Sequence, residues 1–156
     1  MELVLANEGI IYKVTRSYSS TSEDQKDLYQ EIIFQLWRSY DKFRNESKKS
    51  TWLYRVALNT ALTFSQRKKR DLGRELISVE LFHKYNQTLE AKDDRIQLLY
   101  EHIQRLKPVN RAIMLLHLEG NDYEEIASIM GVTSTNVGTR LNRIRKKLKS
   151  QILNRK

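Results

Sequence analysis

The chain has 156 residues, a net charge of +9 and 40% hydrophobic residues, enough for one ordinary domain or two very small ones. The lack of cysteine excludes disulfides and cysteine-based zinc sites, and His83, His102 and His117 are too scattered to bind a metal. No apolar run reaches the roughly 18 to 20 residues of a membrane span, and residues 1–11 do not resemble a signal peptide, so we expect a cytoplasmic protein with no cofactor.

The scarcity of chain breakers predicts an all-α fold. One proline and five glycines are few for this length, which favours long helices joined by short connections. The net charge alternates along the chain, from −2 over residues 1–40 to +6 over 41–75, −3 over 76–132 and +8 over 133–156. This pattern indicates two separate surfaces for polyanions, each preceded by an acidic or neutral surface for another partner. Either basic run alone is equally compatible with a solvated helix face.

Two amphipathic helices are predicted in the first 40 residues. Apolar residues recur at helical spacing from Ile10 to Tyr18, and a run of serine and threonine follows. Ser22 and Gln25 fit a capping box, which predicts that the second helix begins there.

The second predicted helix carries more apolar residues than one helix contact requires. One stripe recurs at spacing four, formed by Leu28, Ile32, Leu36 and Tyr40, and a wider face adds Ile33, Phe34 and Trp37. Two interpretations remain open, because all of these residues can be core, or part of this surface can meet another protein.

The first basic stretch mixes cations with aromatic residues. A predicted loop over 41–50 leads into a third helix, from Trp52 through Phe64 to the basic run 67–70. Aromatic residues alternate here with cations, as Lys42, Phe43, Arg44, Lys48, Lys49, Trp52, Tyr54, Arg55 and Phe64. This mixture is typical of surfaces for single strands, where rings stack on unpaired bases and cations follow the backbone. The alternative is that Trp52 and Phe64 are core, which leaves the loop and Asn59 as the better candidates for contact.

The second half contains a predicted series of four helices after a linker with a short helical piece at 71–92. One helix begins near Asp93, and the next begins at Pro108 and closes at Gly120 and Asn121. A capping box of Asp122 and Glu125 starts a short helix that ends at Gly131, and Thr133 or Ser134 caps the last helix.

The spacing of Ala127, Gly131 and Val137 is that of a helix-turn-helix. A small residue allows close helix approach, glycine permits a left-handed turn, and valine fills the angle between the helices. An inward stripe follows at helical spacing, as Val137, Leu141, Ile144 and Leu148. The outward face, Thr135, Asn136, Thr139, Arg140, Arg143 and Lys147, suits a DNA major groove.

Taken together, these motifs resemble the extracytoplasmic-function (ECF) group of sigma-70-family factors over nearly the whole chain. DQKDLYQEIIFQLWRSYDKFR, STWLYRVALNTAL and QRKKR are similar to the segments that bind core polymerase and read the minus-ten element. Residues 105–149 are similar to the sigma-four helix-turn-helix that reads the minus-thirty-five element. The resemblance implies two small helical domains, a sigma-two bundle at 1–70 and a sigma-four domain at 93–156, joined by a linker at 71–92.

The resemblance also implies three sets of site residues. Those matching the polymerase-docking face are Asp27, Gln30, Glu31, Phe34 and Trp37. Those facing the unpaired minus-ten strand are Arg44, Lys48, Lys49, Trp52, Arg55 and Asn59. Those reading the minus-thirty-five duplex are Thr135, Asn136, Thr139, Arg140, Arg143 and Lys147. The chain departs from the family pattern at Gly138, which replaces a common lysine and should loosen its helix by up to about 1 kcal/mol.

The expected partners are core RNA polymerase, promoter DNA and an anti-sigma factor, which is often membrane-anchored in this group; no small-molecule substrate is expected. A different class of function is a stand-alone helix-turn-helix regulator, which would bind promoter duplex unaided but would leave the first basic cluster unexplained. Enzymatic function has little support, because the chain has no glycine-rich phosphate loop, metal cluster or catalytic triad.

Overall fold

The computed structural model describes residues 2–43, 48–71 and 94–153, and within them every regular element is a helix. The first half contains α1 (Glu2–Ala6), α2 (Glu8–Tyr18), α3 (Ser22–Ser39), a 3₁₀ turn (Tyr40–Lys42) and α4 (Lys49–Asp71). The second half contains α5 (Asp94–Gln104), α6 (Pro108–Leu118), α7 (Tyr123–Met130) and α8 (Ser134–Leu153). The predicted all-α class is confirmed. The predicted linker, apart from Asp71, lies outside the described residues.

Packing divides the chain into two compact units, Met1–Gln104 and Arg105–Lys156. Helix α5 packs with the first unit, because the Gln104 side-chain amide donates to the backbone carbonyls of Arg16 (2.7 Å) and Ser19 (3.3 Å) at the end of α2. The Arg16 guanidinium also lies 4.6 Å from the centroid of the Tyr100 ring. The domain limits inferred from the sequence are 1–70, 71–92 and 93–156, whereas the two units are defined by packing alone. These domain limits therefore stay a prediction.

The core of the first unit lies between α3 and α4, and α2 covers both helices. The predicted stripe supplies three fully buried side chains, Leu28, Ile32 and Leu36, and α4 opposes them with Leu53, Ala57, Leu58 and Ala61. Small residues on α4 allow the two backbones to approach closely. Tyr40, which the sequence placed in the stripe, is 54% exposed, because α3 ends at Ser39 and the chain turns away in the 3₁₀ turn.

Two local predictions about the first unit were wrong. Thr21, not Ser22, caps α3: its backbone is extended and its hydroxyl accepts from the Asp24 amide at 3.1 Å, whereas Ser22 is already the first helical residue. The predicted loop over 41–50 is also shorter than expected, because the 3₁₀ turn takes its beginning and α4 starts at Lys49.

The second unit contains α6, α7 and α8, each in contact with the other two. Pro108 is the first residue of α6, as predicted. The capping box at the start of α7 is confirmed, because the Glu125 amide donates to the Asp122 carboxylate (2.8 Å) and the Asp122 amide donates to the Glu125 carboxylate (3.2 Å). The predicted inward stripe of α8 is buried, as Val137, Leu141, Ile144 and Leu148.

The helix-turn-helix is confirmed at its turn. Gly131 has a φ of 70°, and the amides of Gly131 and Val132 donate to the Ala127 carbonyl at 2.9 and 3.1 Å, which closes the end of α7. The hydroxyl of Thr133 then accepts from the Asn136 amide at 3.1 Å, so Thr133 is the residue that caps α8. This turn fixes the angle at which α8 leaves α7.

We expect Gly131→Ala to lower the free energy of unfolding by about 1–2 kcal/mol, because a Cβ atom makes the left-handed conformation unfavourable. Urea unfolding of the full chain, followed by far-ultraviolet circular dichroism, measures this loss. Gly9→Ala is the matched control, since Gly9 has no atom within 4 Å of an added Cβ and no positive φ. The control should unfold at the same or a higher urea concentration than the parent, and equal destabilisation by both changes would contradict the prediction.

Candidate functional site

The outward face of α3 carries the residues that the family resemblance assigned to polymerase docking. Asp27, Gln30, Phe34 and Trp37 are exposed and Glu31 is half-buried, with its carboxylate accepting from the Gln35 amide at 3.3 Å. Phe34 is 52% exposed and Trp37 is 78% exposed. The interpretation that every apolar residue of this helix is core is therefore wrong, and the excess apolar surface is open to solvent.

An apolar groove of about 640 Å³ runs beside these exposed rings. Its walls come from α1, α3 and α4, and its main lining residues are Val4, Ile33, Phe34, Trp37, Tyr40 and Trp52. Tyr29, also in the lining, donates its hydroxyl to the Glu8 carboxylate at 3.4 Å and so joins α2 to α3. Burial and the Glu8 carboxylate raise the pKa of Tyr29, so its hydroxyl stays protonated. The groove offers almost wholly apolar contact to an occupant.

The predicted single-strand residues lie at the beginning of α4. Trp52, Arg55 and Asn59 follow at intervals of three and four and therefore share one face of the helix. Lys48 and Lys49 precede them and are exposed, whereas Trp52 and Arg55 are half-buried and Asn59 is exposed. Arg44 lies outside the described residues. The structure thus brings five of the six predicted residues to one end of α4.

The aromatic residues of this basic stretch divide between core and surface. Phe64 and Tyr54 are 7% exposed and belong to the core, so the core interpretation of Phe64 is confirmed. Trp52 instead contacts Phe43, with ring centroids 5.0 Å apart, and Tyr40, with centroids 6.2 Å apart edge to face. Farther along α4, the Lys68 ammonium pairs with the Asp24 carboxylate at 3.0 Å. The surface aromatic cluster therefore consists of Tyr40, Phe43 and Trp52.

The outer face of α8 carries the predicted duplex-reading residues. Thr135, Asn136, Thr139, Arg143 and Lys147 are exposed, and Arg140 is half-buried. The hydroxyl of Thr139 donates to the Thr135 carbonyl at 3.0 Å, so its polar group is satisfied within the helix. Because α8 carries no acidic residue and its basic residues begin at Arg140, this face is neutral over its first turn and cationic from Arg140 onward.

Arg140 is held by two amide side chains. Its Nε donates to Oδ1 of Asn136 at 2.8 Å, and its Nη1 donates to Oδ1 of Asn110, on α6, at 2.8 Å. Arg140 thereby joins α6 to the outer face of α8 and orients the Asn136 amide by holding its oxygen. Sequence reasoning missed Asn110, because nothing local marks a partner 30 residues away.

A second cross-helix contact joins α6 to α8. Nε2 of His117 lies 2.6 Å from Nη2 of Arg145, and burial together with the Arg145 charge lowers the pKa of His117. The neutral ring can therefore accept from the guanidinium. Sequence reasoning misses this pair as well, because no local pattern links residues 28 positions apart.

The part of the chain that the structure describes contains neither a candidate metal site nor a candidate membrane span. Among residues 2–43, 48–71 and 94–153, no three histidine, aspartate or glutamate side chains are grouped so that they could hold a metal ion. Within the same ranges, none of the helices combines the length and the apolar character needed to cross a bilayer.

We expect Asn110→Ala and Arg140→Ala to be non-additive in stability, with a coupling of about 1 kcal/mol, because each change removes the same part-buried, charge-assisted hydrogen bond. Urea unfolding of the two single variants and the double variant measures the coupling. Arg143 serves as the matched control, since it is an exposed arginine on the same face of α8. The destabilising effects of Asn110→Ala and Arg143→Ala should be additive. Equal additivity of Asn110→Ala and Arg140→Ala would contradict the inference that Arg140 joins α6 to α8 through Asn110.

Comparison with known protein families matches both halves of the chain. The Sigma-70 region 2 family matches residues 3–71, and the Sigma-70, region 4 family matches residues 96–148. The second match begins within α5, so the family pattern groups this helix with region 4 although it packs against α2. The presence of both regions in order argues against a stand-alone helix-turn-helix regulator.

Curated relatives agree with these matches. The ECF RNA polymerase sigma-E factor of Haemophilus influenzae is 33% identical over 143 residues, covering 83% of this chain and 75% of the relative. The factor of the same name from Escherichia coli is 30% identical over 143 residues, covering 84% of this chain and 75% of the relative.

A solved structure has the same fold. The sigma factor RpoE, in complex with the anti-sigma factor NepR from Bartonella quintana, superposes with a TM-score of 0.75 at 19% identity and covers 96% of this chain and 93% of that one. From the two matched regions and the sigma-E relatives, the chain belongs to the ECF sigma factors: it is an alternative sigma factor of RNA polymerase and a non-enzymatic initiator of transcription.

Proposed function

We propose that this sigma factor docks on core RNA polymerase through the groove face of α3, holds the unpaired minus-ten strand at the start of α4, and reads the minus-thirty-five duplex with α8. The observation that carries the proposal is the exposure of Phe34 and Trp37 beside an apolar groove. The domains follow the limits inferred from the sequence, with 1–70 as sigma-two, 71–92 as linker and 93–156 as sigma-four.

The docking surface combines the groove with the polar residues of the same helix face. Burying Phe34 and Trp37 would remove two large rings from water, and aromatic anchors of this kind dominate the energy of protein interfaces. Asp27, Gln30 and Glu31 lie one to three turns earlier on the helix and provide polar contacts around these anchors. The polymerase would therefore meet an apolar centre with an acidic margin.

The strand-holding surface adjoins the docking surface, because Trp52 lines the groove and also begins the face that Arg55 and Asn59 continue. Lys48 and Lys49 stand at the start of α4, where their charge can meet the phosphates of a strand, and Arg44 is assigned to the same role from the resemblance. A flipped base that stacks on an aromatic side chain regains roughly 1 to 3 kcal/mol, which offsets the cost of unpairing.

The duplex-reading surface is the outer face of α8. Arg143 and Lys147 are exposed cations at spacing four, suited to a guanine edge and a phosphate respectively. Asn136 reaches the groove with its orientation fixed by Arg140. Thr135 precedes Asn136 along the helix, Thr139 follows it by three residues, and the two threonines complete the face.

We expect Trp37→Ala to weaken binding to core polymerase by about 30-fold or more, because truncating a central aromatic anchor typically costs at least 2 kcal/mol. Titration of labelled full-length protein with core enzyme measures the affinity, and run-off transcription from a pooled genomic template tests initiation itself. Tyr12→Ala is the control, since Tyr12 is an aromatic residue of α2, 42% exposed, outside the groove lining.

The control should bind and initiate as the parent does. Equal binding by the Trp37 variant and the parent would remove the groove from the polymerase contact. Failure of the parent to associate with core enzyme and to start at any promoter would refute the whole proposal.

An anti-sigma factor is the second proposed partner, and the proposed location is the cytoplasm. The support is fold-level: RpoE of Bartonella quintana was solved in complex with the anti-sigma factor NepR, and CnrH, with a TM-score of 0.70 at 19% identity, in complex with the cytosolic domain of CnrY. Co-purification from resting cells should yield such an inhibitor. Recovery of polymerase as the sole bound protein would count against it.

A further inference from the structure

Gly138 makes room for an aromatic ring. A Cβ atom at this position would lie 3.3 Å from Cε2 and 3.5 Å from Cδ2 of Tyr123, so a side chain there would begin in tight contact with the ring. The positive-φ glycines of the described residues are Gly120 and Gly131, so the backbone at 138 does not itself require glycine. Instead of a side chain at 138, this chain has the ring of Tyr123 against the helix backbone.

Tyr123 is supported on a second side as well. It is the first residue of α7, directly after the N-cap Asp122, and its ring centroid lies 6.5 Å from that of His117. The contact between His117 and Arg145 in turn fixes the histidine. The Tyr123 ring nevertheless remains 38% exposed, so part of it is presented to solvent beside α8.

The ring forms one wall of a shallow notch in the second unit. The notch is lined mainly by Tyr123, Glu124, Thr135, Gly138, Thr139 and Asn142. Its lining contains no lysine or arginine, and the Glu124 carboxylate repels a phosphate. Thr135 and Thr139 belong to the proposed duplex-reading face, so the notch opens on that face. A neutral to acidic notch there suits the edge of a base better than the DNA backbone.

Among the groups that the bases present in the major groove, the C5 methyl of thymine is the one apolar group. The apolar surfaces that can meet it are the exposed part of the Tyr123 ring and the methyl group of Thr139, whose hydroxyl is already bonded to the Thr135 carbonyl. Gly138 carries no side chain, so none stands in the notch beside the Tyr123 ring.

We propose that the notch receives the C5 methyl group of one thymine of the minus-thirty-five element and that Tyr123 is a base-reading residue. This inference rests on the proposed function of α8. A lysine at 138 would contact phosphate regardless of sequence, whereas a side chain that meets a base distinguishes one base from another.

The test uses the full-length protein with core polymerase on a promoter found by run-off transcription. Each thymine of the minus-thirty-five element is replaced in turn by deoxyuridine, which removes only the methyl group. For the parent protein we expect one replacement to lower the apparent affinity for the promoter about fourfold, the effect of one lost methyl contact. Tyr123→Ala should bind the thymine promoter and the deoxyuridine promoter equally. Tyr123→Phe should keep the fourfold difference because it keeps the ring.

Gly138→Lys is the second variant: lysine favours helix more than glycine does, and its Cβ requires the Tyr123 ring to shift by a few tenths of an ångström. It should fill the notch and abolish the difference between thymine and deoxyuridine. It should also increase by about one the slope of log affinity against log salt, as expected for one added phosphate contact.

The inference is overturned if the parent initiates but no thymine of the element depends on its methyl group, or if Tyr123→Ala keeps the dependence. Loss of the dependence in Tyr123→Phe would also overturn it, since the hydroxyl would then be the reading group. Absence of initiation by the parent at any promoter is a different result, because it contradicts the proposed function itself.

Discussion

An α-helix that carries apolar residues on more than one side can bury only the side that meets its neighbours. In α3 the buried side is Leu28, Ile32 and Leu36, packed against a surface of α4 that includes Ala57 and Ala61. Phe34 and Trp37 lie on the other side of α3, and among the residues that the structure describes they stay exposed. The groove beside them therefore follows from the way α3 packs on α4, and the proposed strand-holding end of α4 adjoins it.

In the second unit, the turn between α7 and α8 decides which side of α8 is buried. The left-handed backbone at Gly131 directs α8 so that its apolar stripe faces α6 and α7, and the remaining residues must then face outward. Cross-helix contacts refine that outward face. Arg140 connects it to Asn110 on α6, and His117 connects Arg145 to the same helix, so the proposed duplex-reading face depends on α6 although α6 contributes none of its predicted residues.

Local patterns predicted most of the fold. Helical spacing located the helices, and the capping box at Asp122 and the glycine at 131 marked the helix-turn-helix, because these signals depend on residues close in sequence. The errors also have local causes: Thr21 and Ser22 are adjacent hydroxyl residues that can each serve as a cap, and Tyr40 continues the stripe in sequence but lies past the end of α3. The features that sequence could not supply are contacts over long separations, namely Asn110 with Arg140 and Tyr123 with Gly138. For the candidate site, the sequence identified exposed faces but not the partners that orient them.

Both tryptophans of the chain, Trp37 and Trp52, line the apolar groove, and the second unit has none. Indole emission shifts to shorter wavelength when the ring leaves water. The protein therefore carries an intrinsic optical reporter of whether its groove is occupied, and this signal is free of any contribution from the helix-turn-helix.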